Sequence, residues 1–267
     1  LAGQTVIYGL GTIVPRLLNY LLTPFYVRVF ASSEYGQISE LYAWIALFLA
    51  ILIFGMETTF FRFSEKENSN KVFRNAETFI LLITTIFLVA YCLLYESFAT
   101  LIHYQFNTHY VLLIGIIVAL DAIAAVPFAI LRKENNAKRF SLIKILNVTT
   151  NIFFNILFIV IIPEKAMYIA EIIFGEQTSL LIWVLISNIL ASLLNIILLT
   201  PHLSKLKLGF DKDLIKAMLR YSWPILLIAL VGMINEVADK ILIKYLVPVP
   251  DNETLASIHM THDQYVM

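Results

Sequence analysis

Residues 109–133 read HYVLLIGIIVALDAIAAVPFAILRK. From Tyr110 to Leu131 the run carries one charge, Asp121, and it ends on the paired cations Arg132 and Lys133. About 20 apolar residues cross the hydrocarbon core of a bilayer as a helix. In that medium every backbone N–H and C=O must be satisfied within the segment, so such a run becomes helical. No period-two alternation is present, which argues against a transmembrane β-barrel strand. The stretch predicts a membrane-spanning helix whose basic end marks one face of the membrane.

The rest of the chain repeats this pattern. Apolar runs at roughly 5–30, 41–63, 78–102, 140–162, 179–200 and 220–247 join residues 109–131 to predict about seven spans. The fold class expected is all-α, a polytopic membrane helix bundle. Composition agrees: of 267 residues, 60% are hydrophobic and 14% charged, and mean hydropathy is +0.81. A soluble domain is about 45–50% apolar and about 25% charged. That gap excludes an ordinary soluble enzyme, a nucleic-acid-binding module and a disordered chain. Formal net charge is zero, with 19 Lys and Arg against 19 Asp and Glu. The single cysteine, Cys92, excludes an internal disulfide and reads as a small hydrophobe within a span. The Asn147-Val-Thr sequon falls within a span and carries no weight. His259, His262 and Asp263 read as part of a polar tail rather than a metal site. Neither a phosphate-binding G-x-x-x-x-G-K-[ST] loop nor an H-E-x-x-H or G-x-S-x-G motif occurs, so no ATP hydrolysis, no cofactor and no enzymatic chemistry are expected.

Charge placement predicts orientation. Arg62, Lys66, Lys71 and Arg74 follow the second span; Arg132, Lys133, Lys138, Arg139 and Lys144 follow the fourth. Lys205, Lys207, Lys212, Lys216 and Arg220 follow the sixth, whereas the opposite loops hold only Arg28 and Lys165. Basic loops stay cytoplasmic, so the N-terminus is expected inside and the tail outside. Tyr91, Tyr95, Tyr104 and Tyr110 flank the third and fourth spans, where interfacial aromatics are expected.

Four segments follow from this reading. Residues 1–200 form a six-helix N-terminal lobe. Residues 201–219 form a cytoplasmic amphipathic linker helix, capped by Asp211, with Leu214, Ile215, Met218 and Leu219 as its apolar stripe. Residues 220–247 form the first helix of a second lobe, and 248–267 an external polar tail. Spans one and seven look alike: each is long, bears a proline (Pro15, Pro224) and carries charge near its outer end. Such internal repeats are typical of transporters. The chain is therefore expected to be a fragment or truncated product, with poor stability for seven spans alone.

Several stretches together resemble the Wzx-type polysaccharide and O-antigen flippases of the MOP (MATE-like) superfamily: FGMETTFFRF at 54–63, PFAILR at 127–132, NNAKRFS at 135–141, YSWP at 221–224 and ADK at 238–240. The resemblance covers residues 1 to about 248. It implies two pseudo-symmetric lobes around a central cavity, in the bacterial cytoplasmic membrane. It implies export of an undecaprenyl-pyrophosphate-linked oligosaccharide for polysaccharide, including lipopolysaccharide, biosynthesis. Membrane lipids and polysaccharide assembly proteins are the implied partners, and nucleic acid is not.

Charged residues inside spans are costly and face protein or water. Arg16, Asn19, Thr23 and Tyr26 share one face of span one, and a guanidinium suits a pyrophosphate. Arg28, near the outer end, either snorkels or contacts ligand. Glu57 reads either as a proton or cation site or as the partner of Arg16. Asp121 is a proton-coupling candidate or a helix–helix hydrogen-bond former. Glu236, Asp239, Lys240 and Lys244 form either a self-neutralised face or a cavity wall. Substrate-binding candidates are thus Arg16, Asn19, Thr23, Arg28, Glu57, Glu236, Asp239 and Lys240; coupling candidates are Asp121 and Glu57. Strips at Asn147, Asn151 and Asn155 and at Asn188, Ser192 and Asn195 read as helix–helix glue or a sugar-facing surface. A multidrug or cation antiporter of the MATE type, or a non-transporting truncated membrane protein, is the competing reading. The pair Arg16 and Arg28 favours an anionic cargo.

Overall fold

The computed structural model describes residues 2–175, 178–203 and 208–246. The described residues form helices without strands: α1 (Ala2–Val29), α2 (Ser32–Ile53), α3 (Met56–Phe63), α4 (Ser69–Leu101), α5 (Thr108–Lys133), α6 (Ala137–Ile156), α7 (Pro163–Phe174), α8 (Leu181–Leu203) and α9 (Lys212–Leu246). A π turn, Leu157–Ile161, ends α6. The chain is an all-α bundle. Among the described residues, six helical segments are long and apolar enough to cross a membrane. Those six begin with Ser32–Phe63; α1, with Arg16, Asn19, Thr23 and Arg28 along its 28 residues, is not among them.

The opening stretch becomes α5, and α5 is the axis of the fold. A helix apolar on every side must be buried, and its side chains from Tyr110 to Leu131 are buried on nearly all faces. α2, α4 and α8 pack around it. α6 leans on α8, α1 covers α6, and α9 covers α2 and α3. Gly115 lets α4 approach: a Cβ there would overlap the Tyr91 ring, and the Tyr91 hydroxyl donates to the Val111 carbonyl at 2.8 Å.

Capping side chains set several helix starts. Asn68 accepts from the amides of Asn70 and Lys71, and Asn136 from that of Arg139. Asp211 accepts from Leu214 N at 3.1 Å, as its position predicts. Three contacts gather one end of the bundle: Lys71 to Asp211 at 2.7 Å, His202 to Glu134 at 3.4 Å, and Arg132 to Glu57 at 2.5 Å. The basic loops expected on one face therefore do meet.

Several expectations change. The run 41–63 is one stretch of hydropathy but two helices. Phe54 (φ 52) and Gly55 (φ 66) adopt left-handed backbone and break it. The freed Gly55 carbonyl accepts from both the amide and the hydroxyl of Thr59. The segment read as a separate amphipathic helix is, from Lys212, the first turns of α9. Leu214, Ile215 and Met218 join the main core instead of facing lipid; Lys205 and Lys207 lie outside the described residues. Lys144 belongs to α6 and not to a loop. Tyr91, Tyr104 and Tyr110 are buried. Tyr104 donates to Glu40 at 2.9 Å, and Tyr110 lies 3.4 Å from the Ser179 hydroxyl. Helix α7 lies in a segment read only as a loop. The tail 248–267, with His259, His262 and Asp263, lies outside the described residues.

Candidate functional site, a polar cavity in the bundle

A cavity of about 550 Å³ runs from the middle of the bundle toward the end opposite the basic loops. α1 contributes Asn19, Thr23 and Tyr26; α2 contributes Tyr35, Ser39 and Tyr42. Asp121 comes from α5, Asn147 and Asn151 from α6, Asn188 and Ser192 from α8, and Glu236 from α9. Helical periodicity explains each group: 35, 39 and 42 recur on one face of α2, 147 and 151 on one face of α6, 188 and 192 on one face of α8.

These side chains are tied across helices. Ser192 donates to Asp121 at 2.6 Å. Asn188 Nδ2 donates to the Tyr42 hydroxyl at 3.1 Å. Asn147 Nδ2 donates to the Ala191 carbonyl at 2.9 Å. The Tyr26 hydroxyl donates to Asn155 at 3.0 Å, and Asn155 donates back to the Asn151 carbonyl at 2.8 Å. The asparagine strips thus join helices and, at Asn147, Asn151 and Asn188, also face the cavity. Such bonds are worth on average about 0.6 kcal/mol each in a membrane protein, so the network holds the wall in place more than it stabilises the fold.

Of the sequence-predicted site residues, Asn19, Thr23, Asp121 and Glu236 come together in this lining. Arg16 and Arg28 do not: both are exposed, one turn before Asn19 and two residues after Tyr26 on α1. Glu57 sits in neither place. It pairs with Arg132, whose guanidinium also lies 5.2 Å from the Phe61 ring centre and 5.9 Å from that of Phe140. Of the two readings of Glu57, the one that made it the partner of Arg16 gives way to a pair with Arg132 of α5. Arg62 pairs with Glu65 at 3.6 Å. Asp239 and Lys240 continue α9, but their side chains lie outside the described residues, as does that of Lys244. Asp121, which has no cation near it in sequence, is acted on by Lys144 of α6. Lys144 Nζ in turn lies 3.9 Å from the Phe128 ring centre.

Tyr35, Ser39 and Tyr42 are the members that sequence reasoning missed. Their i, i+4, i+7 spacing on a span was the available signal. Chemically, the lining offers amide and hydroxyl donors and acceptors together, with two carboxyl groups and, among the described side chains, no lysine or arginine. No group of three His, Cys, Asp or Glu among the described residues is arranged to hold a metal ion.

No curated protein and no solved structure matches the chain. A protein-family model does, over residues 1–250, under the description "Polysaccharide biosynthesis protein". That match covers most of the chain: this multi-pass membrane protein belongs to the polysaccharide biosynthesis protein family, whose members are transporter-like rather than enzymes.

Proposed function

We propose that the chain forms the N-terminal lobe, and the first helix of a second lobe, of a flippase. Its cargo would be an undecaprenyl-pyrophosphate-linked oligosaccharide, moved from the inner to the outer leaflet of a bacterial cytoplasmic membrane. The observation that carries this reading is the hydrogen-bonding cavity within the membrane-spanning bundle. Sugars present hydroxyls that both donate and accept. A wall of Asn19, Thr23, Ser39, Tyr42, Asn147, Asn151 and Asn188 meets them with the same chemistry. Membership of the polysaccharide biosynthesis family supports the cargo class. In this reading Arg16 and Arg28, at two different levels of α1, meet the pyrophosphate at successive positions of its passage, as forked donors suit phosphate oxygens. Asp121 and Glu236 are the acids that a coupling ion would visit. The distribution of basic residues among the loops supports a cytoplasmic N-terminus.

A second reading rests on one observation. Two carboxyl groups and no described cation line the cavity, an arrangement that attracts a cationic drug. Transport by the full-length protein in proteoliposomes decides between them. Translocation of a labelled lipid-linked oligosaccharide, impaired by Arg16→Ala at normal protein level, is the expected result. Extrusion of cationic dyes with no movement of the lipid-linked sugar would overturn the flippase reading.

A further inference from the structure

A second cavity, also about 550 Å³, lies at the end of the bundle where the basic loops meet. Its wall includes Lys71 and Arg74 of α4, Arg139 of α6, and His202 of α8, with Glu134 as its one carboxylate among the described residues. The charges do not cancel. Lys71 is taken by Asp211 at 2.7 Å, and Glu134 faces His202 at 3.4 Å. Arg74 has no ion pair among the described residues, and its Nε is buried without an acceptor. Arg139 gives one Nη2 bond to the Leu198 carbonyl at 2.9 Å and pairs with no described acid. Two guanidinium groups thus line one cavity with donor capacity left over. The side-chain amides of Asn70 and Asn136 share the wall.

We propose that this cavity is a binding site for a phosphate group. A planar guanidinium matches phosphate oxygens with paired, charge-assisted hydrogen bonds. A buried donor left without an acceptor is costly, and a phosphate oxygen would remove that cost at Arg74. The position suits an anionic phospholipid headgroup, because basic pockets between helices on the cytoplasmic side collect such headgroups. A phosphate free in solution offers the same oxygens. The site is separate from the central cavity, and its occupancy does not depend on what the central cavity carries.

Native mass spectrometry of the purified chain in detergent tests this, with phosphatidylglycerol, phosphatidylcholine and inorganic phosphate as separate probes. Retention of one phosphatidylglycerol in preference to phosphatidylcholine is expected. Its affinity should fall about tenfold for each of Arg74→Gln and Arg139→Gln, the loss of one charge-assisted pair. Lys216→Gln, an exposed cation away from the cavity, should leave it unchanged. Protection against thermal unfolding by inorganic phosphate over matched chloride, lost in the double variant, would assign the site to soluble phosphate. Arg74→Lys is the folding control and should retain part of the binding. Equal retention of both lipids with no phosphate effect overturns the proposal, as does equal weakening by Lys216→Gln.

Discussion

Glu57 of α3 and Arg132 of α5 form an ion pair at 2.5 Å, and it joins the buried Met56 and Phe60 in tying the short helix after the Phe54–Gly55 break to the bundle. The carboxylate and guanidinium are 75 residues apart in sequence. Each side chain is about a third exposed, 35% and 36%, so neither a fully buried nor a surface value applies. Removing one partner leaves the other charge without its neighbour. Glu57→Gln and Arg132→Gln should each lower stability by about 1–2 kcal/mol, and the double variant by less than their sum. Thermal unfolding of the four proteins in one detergent gives the coupling. Strict additivity would mean the pair contributes nothing.

Gly55 should tolerate no side chain. Its φ of 66° lies in the left-handed region, and an added Cβ would sit 2.9 Å from Ile225 Cγ2 of α9. Gly55→Ala should cost about 1–3 kcal/mol from backbone strain, with the contact adding to it. Adding Ile225→Ala removes the Cγ2 contact but leaves the strain and the Ile225 Cβ at 3.0 Å, so it should recover only part of the loss. Full recovery would show that the backbone at 55 is relaxed.

How much of this was legible in the sequence follows from what a hydropathy run encodes. Span-length runs and alternating basic loops are one-dimensional, so α5 and the gathering of the basic loops could be read directly. The Phe54–Gly55 break could not, because both residues suit the apolar run and the break depends on how α9 crosses there. The start of α9 was misplaced for a related reason. An apolar stripe at Leu214, Ile215 and Met218 faces lipid or a helix equally well, and here α9 turns it into the protein core. At the cavity, shared helix faces placed Asn19 with Thr23 and Asn188 with Ser192. Which helix faces which is set by packing, so the Lys144–Asp121 proximity and the Arg132–Glu57 pair lay beyond reach of spacing.

Glu77 is a stabilisation target. It is fully buried on α4, and neither carboxyl oxygen has a hydrogen-bond partner among the described residues. Burying a polar group without a partner costs free energy that an apolar side chain of similar size avoids. Glu77→Leu should raise stability by about 1–3 kcal/mol. A drop in the unfolding temperature would mean that the carboxyl has a necessary role in the folded state.

Acid should loosen the contact between α4 and the start of α9. The Lys71 ammonium, aided by the Leu214 amide, holds the Asp211 carboxyl below the usual aspartate range. A carboxyl depressed on folding stabilises the protein above its unfolded value, about 3.9. That contribution is lost as pH falls through the lower folded value. Asparagine caps a helix as well as aspartate does, so Asp211→Asn removes the ion pair and keeps the cap. The unfolding-temperature gap between wild type and Asp211→Asn should be constant near pH 6–7 and close progressively below about pH 4. A gap independent of pH would assign the effect to something other than this charge.

Asp121 separates packing from coupling, because its bond to Ser192 survives a change that removes its charge. The Ser192 hydroxyl donates to Asp121 Oδ1 at 2.6 Å, and an asparagine oxygen accepts the same proton. If Asp121 serves only to join α5 to α8, Asp121→Asn is neutral in stability and in transport. If it carries the coupling proton, Asp121→Asn abolishes transport driven by a pH gradient while the protein unfolds at the wild-type temperature, since an amide cannot bind and release a proton near neutral pH. The second outcome is expected, because a charge midway along a span is retained at a cost of about 2.5–3.5 kcal/mol on insertion scales, and a serine–asparagine bond would join the same helices without it. Ser192→Ala tests the converse: it removes the donor and keeps the acid, so transport should persist with a shifted pH profile. Full transport by Asp121→Asn in proteoliposomes would return Asp121 to a packing role and leave Glu236 as the remaining acid described in the cavity wall.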